Sequence, residues 1–422
     1  MVFDTRALIG EQGCTCGKTH EMVTKRVVIE PGCMAELDAH CSAVGLGGIR
    51  CAIYDANTYE AKGLVRPKAD FEIILAAENL HADEHGTGKV FEALGERRFD
   101  YFLAIGSGTV HDITRYCADK LKSDFVACPT AASVDGFCST VSAMTWHGNK
   151  ITLPGIAPVL VVADLNVITQ APLSLGLSGT GDILGKYTAL ADWKIANALT
   201  REYYCGRIEK LTRQAVEAAR ECCEALCSGN EDAFAQLTYA LVLSGLAMQM
   251  LGNSRCASGA EHHISHFIEM APPALGRQSH ALHGEKVGVA TTIVSRLYHK
   301  LAQHEDISAF ATPFVPLDEA MIRKAFGADL VKDILLENKD DCLKAVTQEA
   351  LKKAWPEVRR VIAEIPTAEE LLALLSSMGA KCTLEEIEVD KKAAPLLPVL
   401  SPYIRNRLTL ARILRILPGA LE

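Results

Sequence analysis

His262 and His266 lie four residues apart in the run Ser258-Gly259-Ala260-Glu261-His262-His263-Ile264-Ser265-His266. That spacing puts both imidazoles on one helix face. His280-Ala281-Leu282-His283-Gly284 follows, with a glycine that permits close approach, and upstream Ser178-Gly179-Thr180-Gly181 leads into Asp182. A lone histidine is usually a satisfied structural residue. Several within one short stretch, flanked by glycines, point to metal ligation. One aspartate and two histidines with an open fourth position make a catalytic rather than a structural site. Spacing alone leaves open which of the histidines bind.

A second chemistry is written between residues 101 and 139. Tyr101–Ile105 reads as a strand, and Gly106-Ser107-Gly108-Thr109-Val110-His111-Asp112 opens a helix behind it. Glycines admit a phosphate close to the backbone, and a helix N-terminus offers unpaired N–H groups. The run departs from G-x-G-x-x-G, since His111 stands in the sixth position. Residues 128–139 follow another strand and are rich in small hydroxyl residues. Thr130, Ser133 and Ser139 suit a cofactor's polar atoms, and Asp135 suits a hydroxyl or the nicotinamide side. Asp55 ends a third strand, where a carboxylate binds ribose hydroxyls and disfavours a 2′-phosphate. Each also has a plainer reading as a turn or cap residue. Cys14-Thr15-Cys16-Gly17 with His20 has metal-ligand chemistry but no fourth ligand nearby in sequence, and reads as a surface turn.

The elements that position these residues change in texture along the chain. Short β-branched runs at 26–30, 49–54, 71–75, 101–105, 125–128 and 159–163 alternate with helical stretches such as 109–121. This predicts a Rossmann-like α/β domain with a parallel sheet over residues 1–168, binding the dinucleotide at its strand ends. After Ala171-Pro172 helices are predicted at 208–226, 232–251, 259–270, 286–301, 341–354 and 367–378, so residues 169–422 form an all-α, metal- and substrate-binding domain. The active site is expected in the interdomain cleft.

A net charge of −9 over 422 residues argues against nucleic acid as a partner, so a substrate phosphate needs a local basic pocket. Lys186 and Arg255 are the candidates. The 15 scattered cysteines and the lack of a secretory signal fit a reducing, cytoplasmic setting. Residues 233–251 carry no charge, but Gln236, Thr238, Ser244 and Gln249 favour a buried helix over a membrane span.

Together these motifs resemble the iron-type alcohol dehydrogenase and dehydroquinate synthase superfamily, and within it the glycerol-1-phosphate dehydrogenases, especially their bacterial AraM-like branch. The likeness runs from Asp55 to Ser401-Pro402-Tyr403-Ile404-Arg405. It is most specific at Gly106–Asp112, Pro129–Ser139, Gly179–Trp193 and Ser258–His266. The resemblance implies NAD(H) or NADP(H) held by Asp55, Gly108, Thr109, Val110, His111, Asp112, Thr130, Ala131, Ala132, Ser133 and Ser139. It implies zinc or nickel on Asp182, His262 and His283, with Asp135 and His266 against the substrate. His280 is the alternative to His283. The implied reaction interconverts dihydroxyacetone phosphate and glycerol-1-phosphate, with the metal as Lewis acid and His266 as proton relay. A homodimer is implied as well. The rivals are a glycerol dehydrogenase acting on unphosphorylated polyols and a dehydroquinate synthase-type lyase.

Overall fold

The structure is a computed structural model that describes residues 1–9 and 13–422. A seven-stranded sheet is built from β1 (Val2–Asp4), β2 (Arg26–Glu30), β3 (Arg50–Asp55), β4 (Phe71–Leu75), β5 (Tyr101–Gly106), β6 (Asp124–Pro129) and β9 (Leu160–Asp164). Their spatial order is β1-β2-β9-β6-β5-β3-β4. All neighbours are parallel except β1, which pairs antiparallel with β2 at the edge. Every residue of β3, β5 and β9 is buried, as expected of strands covered on both faces. The parallel sheet and the helical C-terminal region match the expected fold class.

Three strands lacked a sequence signal. β7 (Val141–Trp146) and β8 (Asn149–Pro154) form a separate antiparallel hairpin. Its turn is His147-Gly148, with φ of 50° and 79°, the paired positive values that a two-residue hairpin requires. β1 is only three residues long, too short for alternation to register.

Among the helices are α1 (Gly108–Leu121), α2 (Leu173–Leu184), α3 (Lys186–Thr200), α4 (Glu231–Leu251), α5 (Ala260–Glu269), α6 (His283–Leu301) and α7 (Gln348–Ile362). The helix expected over 341–354 is instead a 3-10 turn, Cys342–Ala345, followed by α7. Asp341 caps the first through the Leu343 N–H, and Thr347 caps the second through the Ala350 N–H. α4 is long and apolar enough to cross a membrane, with mean hydropathy 1.4 over its most apolar stretch, but 78% of that stretch is buried in the protein.

The chain divides into two compact units, and the division does not follow a single cut. The first comprises Met1–Ile183 and Lys210–Ser254, the second Leu184–Glu209 and Arg255–Glu422. α4 therefore packs with the sheet's unit, although its sequence looks like the helical half. It lies over the 3-10 turn Asp135–Cys138 at Gly245, where a Cβ would come within 2.8 Å of the Cys138 Cβ. The second unit is helical, and a buried ion pair lies inside it: Arg412 meets Asp341 at 2.9 Å and Arg415 meets the same carboxylate at 2.5 Å.

Candidate active site

In the first unit, the pairing of Ile105 with Cys128 and Gly106 with Pro129 brings both loops to the same carboxyl edge of the sheet. The Thr130 N–H donates to the Gly106 carbonyl at 3.1 Å, which ties the loops together. Packing requires glycine at both 106 and 108. A Cβ on Gly106 would sit 2.7 Å from the Val110 side chain, and one on Gly108 would sit 2.9 Å from Val134. Thr109 and Val110 form the first turn of α1.

His111 and Asp112 serve this architecture directly. The His111 ring meets the Ser107 carbonyl at 2.9 Å and packs edge-on against Phe137, with centroids 4.8 Å apart. Burial pushes its pKa down to about 3, so the ring is neutral. Asp112 holds the fully buried Arg115 at 2.5 Å. Arg115 in turn donates to the Gly136 carbonyl at 2.6 Å, to that of Phe137 at 3.0 Å and to that of Val141 at 3.3 Å. The second loop is therefore shaped by a side chain of the helix behind the first. Asp55 caps the helix Ala56–Tyr59, accepting from the Thr58 N–H and hydroxyl, each at 2.9 Å.

Thr130, Ala131, Ala132, Ser133, Asp135 and Ser139 are all buried in the second loop. Ser139 Oγ accepts from the Val141 N–H, and Asp135 Oδ2 accepts from the Ser244 hydroxyl at 2.9 Å. Ser133 Oγ and His111 Nε2 are buried without a hydrogen-bond partner among the described residues. Unsatisfied buried polar atoms are rare in folded proteins, and polar atoms of a bound dinucleotide would satisfy such groups. Asp182, on α2, is buried and accepts the Asp135 N–H at 3.0 Å.

In the second unit three imidazoles converge. His262 and His266 lie on α5 and His283 starts α6. Their ring centroids are 6.0 Å (262–266), 5.5 Å (262–283) and 5.6 Å (266–283) apart. Two of them are oriented by carboxylates. His262 Nδ1 lies 2.7 Å from Glu261 Oε1, and His283 Nδ1 lies 2.7 Å from Glu269 Oε1. Such contacts fix the tautomer with Nε2 as the outward lone pair, the usual support of a metal-ligating histidine. Glu261 is fully buried, and burial alone would raise its pKa. Hydrogen bonds from His262, the Thr188 hydroxyl and the Gly259 N–H overcome that and hold it below the usual range, so it is ionised. The donor set fits a divalent cation.

Sequence reasoning missed Glu261 and Glu269. Their signal was available, because Glu261 adjoins His262 and Glu269 lies three residues after His266. His266 has no carboxylate of its own on Nδ1, which is buried without a partner among the described residues. Burial, followed by the charges around it, pushes its pKa well down and leaves the ring neutral. His280 is exposed, with its backbone N–H on Glu388.

Of the two basic candidates, Arg255 is engaged in structure. It bonds Glu202 at 2.7 Å, the Asp192 carbonyl at 3.0 Å and the Leu408 carbonyl at 2.6 Å. Lys186 is fully buried at the start of α3. Arg405, at the end of the sequence likeness, is the cation whose field reaches His266, and Arg407 donates to the Ser258 carbonyl just before α5.

The fold is that of the iron-type alcohol dehydrogenases. An iron-containing alcohol dehydrogenase from Corynebacterium glutamicum superposes with a TM-score of 0.62 over 98% of this chain and 99% of its own, at 14% identity. Maleylacetate reductase from Agrobacterium tumefaciens gives 0.62 over 95% and 96%, at 15% identity. Residues 28–172 match the family described as iron-containing alcohol dehydrogenase. Glycerol-1-phosphate dehydrogenase [NAD(P)+] from Halalkalibacterium halodurans is 36% identical, covering 78% of this chain and 84% of the relative. The enzyme of the same name from Bacillus subtilis is 42% identical over 61% and 68%. The chain belongs to the glycerol-1-phosphate dehydrogenase family within the iron-type alcohol dehydrogenases.

Proposed function

We propose that this protein is a metal-dependent, NAD(P)-linked dehydrogenase that interconverts dihydroxyacetone phosphate and sn-glycerol-1-phosphate. The observation that carries the reading is the pair of carboxylate-anchored imidazoles, His262 on Glu261 and His283 on Glu269, in a chain with these relatives. Asp182, His262 and His283 hold one divalent ion, zinc or nickel. Asp55, Gly108 to Asp112, Thr130 to Ser133 and Ser139 hold the dinucleotide, so that residues 1–168 serve the cofactor and 169–422 the metal and substrate. When bound, the ion supplies Lewis acidity and the nicotinamide supplies hydride.

The chain's own residues do the rest. Glu261 and Glu269 keep the Nε2 lone pairs of His262 and His283 directed outward. His266, kept neutral by burial, exchanges the proton with the substrate oxygen at its outward ring nitrogen, taking it from or returning it to solvent. Asp135 holds a substrate hydroxyl. Lys186 and Arg405 meet the phosphate, which the overall charge of −9 would otherwise repel. The negative charge and abundant cysteine fit a cytoplasmic enzyme, and the family likeness suggests a homodimer.

The test is NADH absorbance with metal-reconstituted protein on dihydroxyacetone phosphate and on dihydroxyacetone, with and without chelator. Chelator-sensitive oxidation with the phosphorylated ketone alone is expected. Oxidation with the unphosphorylated ketone alone would make it a glycerol dehydrogenase, and no oxidation with either would overturn the dehydrogenase reading.

A further inference from the structure

Cys14-Thr15-Cys16-Gly17 with His20, a surface turn by its sequence, has the geometry of a ligand set. Gly17, at φ 80°, closes a turn in which its N–H donates to the Cys14 carbonyl at 3.0 Å. The sulfurs of Cys14 and Cys16 and a ring nitrogen of His20 all lie within 4.8 Å of one another. Cys16 Sγ is 3.3 Å from His20 Nε2. A zinc ion with Zn–S of ~2.3 Å and Zn–N of ~2.0 Å at the tetrahedral angle sets S and N ~3.5 Å apart. The turn is thus already close to the spacing a metal would impose.

The imidazole is prepared for ligation. His20 Nδ1 lies 2.9 Å from the Met250 carbonyl near the end of α4. A carbonyl only accepts, so Nδ1 carries the hydrogen and the Nε2 lone pair is left on the side of the sulfurs. The lead into β2 is fastened to the same helix end. The N–H groups of Val23 and Thr24 donate to Gln249 Oε1 at 3.1 and 3.3 Å, and Gln249 Nε2 donates to the Thr24 hydroxyl at 2.7 Å. His20 is 6% exposed, while Cys14 and Cys16 are half-buried and within reach of solvent. Neither forms a disulfide.

We propose that Cys14 Sγ, Cys16 Sγ and His20 Nε2 hold a soft divalent metal of the zinc class, distinct from the ion on Asp182, His262 and His283. Binding releases the two thiol protons to solvent, and the three ligands leave a tetrahedral ion one position for a further donor. Two thiolates and an imidazole select zinc over magnesium or calcium. The bound ion ties residues 14–20 into one turn, which the His20–Met250 contact holds against the end of α4.

The test loads the full chain with cobalt(II). The proposed active-site ion has no sulfur ligand, so a thiolate-to-cobalt charge-transfer band reports this site alone, whatever becomes of the dehydrogenase reading. Two equivalents of cobalt, enough for this site and the proposed active-site ion together, should develop the band in the wild type, and the double variant Cys14→Ser/Cys16→Ser should lack it while retaining the basal enzymatic rate. A wild type without the band, or a double variant that keeps it, overturns the proposal. Should the double variant fail to fold, alkylation mapping of the wild type decides. With zinc at a hundredfold its Kd, Cys14 and Cys16 should react about 100-fold more slowly than after chelation. Equal reactivity in the two states overturns the site.

Discussion

Glu261→Gln isolates the charge behind one proposed metal ligand. Glu261 Oε1 takes the His262 ring N–H and the Gly259 N–H, each at 2.7 Å, and Oε2 takes the Thr188 hydroxyl at 2.6 Å. A glutamine keeps an oxygen for the first two and turns its amide nitrogen to Thr188, whose hydroxyl can rotate to accept. The shape survives and the charge is lost. Hydrogen bonds to charged groups contribute ~1.5–3 kcal/mol against ~0.5–1.5 kcal/mol for neutral ones. Removing the charge from the His262 contact therefore removes ~1–1.5 kcal/mol from the imidazole's basicity and orientation, near a factor of ten in affinity. Carboxylates behind ligating histidines typically give ~10–100-fold. Competition between the loaded enzyme and a chromophoric chelator measures this directly. We expect the metal Kd to rise ~10–100-fold, with a smaller loss of kcat at saturating metal. A correctly folded variant with unchanged metal affinity would refute the reasoning, because His262 would then owe nothing to its carboxylate or would not be a ligand.

His266→Ala should lower kcat by ~10²–10⁴-fold with metal content unchanged, whereas metal loss by elemental analysis would make His266 a ligand. Asp182→Ala should lose both metal and nearly all activity; retention of both would sink the site as drawn. Asp341 offers a pH test. Burial pushes its pKa up, but Arg412 and Arg415 outweigh that and hold it below the ordinary value, so folding gains stability above the unfolded carboxylate's pKa and loses it as the pH falls through the folded one. Thermal melts should therefore show Asp341→Asn to be destabilised by ~3–5 kcal/mol at neutral pH, where it leaves two arginines uncompensated, with the difference shrinking in acid. A pH-independent difference would refute it. Gly108→Ala should weaken dinucleotide binding measured by fluorescence, since its Cβ would push against Val134 at 2.9 Å and move the second loop.

Much of this was legible because local chemistry and global position coincide. The buried strands β3, β5 and β9 are apolar runs apart from charged end residues in β3 and β9, and the glycine turn of residues 106–108 falls where β5 ends. His262 and His266 share a face by helical spacing alone. Other parts depend on contacts distant in sequence. His283 follows a stretch, 271–282, that has no helical period, so nothing local says where α6 begins. Glu269 resembles any surface carboxylate until His283 arrives beside it. Arg115 looks like a solvent-facing charge on α1, yet it is buried, donating to the carbonyls of Gly136 and Phe137 in the loop and of Val141 at the start of β7. His20 finds Met250 across 230 residues, which no reading of Cys14-Thr15-Cys16 could foresee.

The interleaving of the two units has a consequence for synthesis. The unit that holds the sheet includes Lys210–Ser254, so the ribosome must make residues 184–209, which belong elsewhere, before that unit can close. α4 is its last piece to emerge, and it is also the most membrane-like segment of the chain. Until α4 docks, a nascent chain exposes both this greasy helix and the sheet surface it will cover, the kind of intermediate that aggregates or recruits chaperones. Truncations ending before Ser254 should therefore be insoluble even though every strand is present, and a stable cofactor-binding fragment would need the 210–254 segment spliced back rather than a simple C-terminal stop.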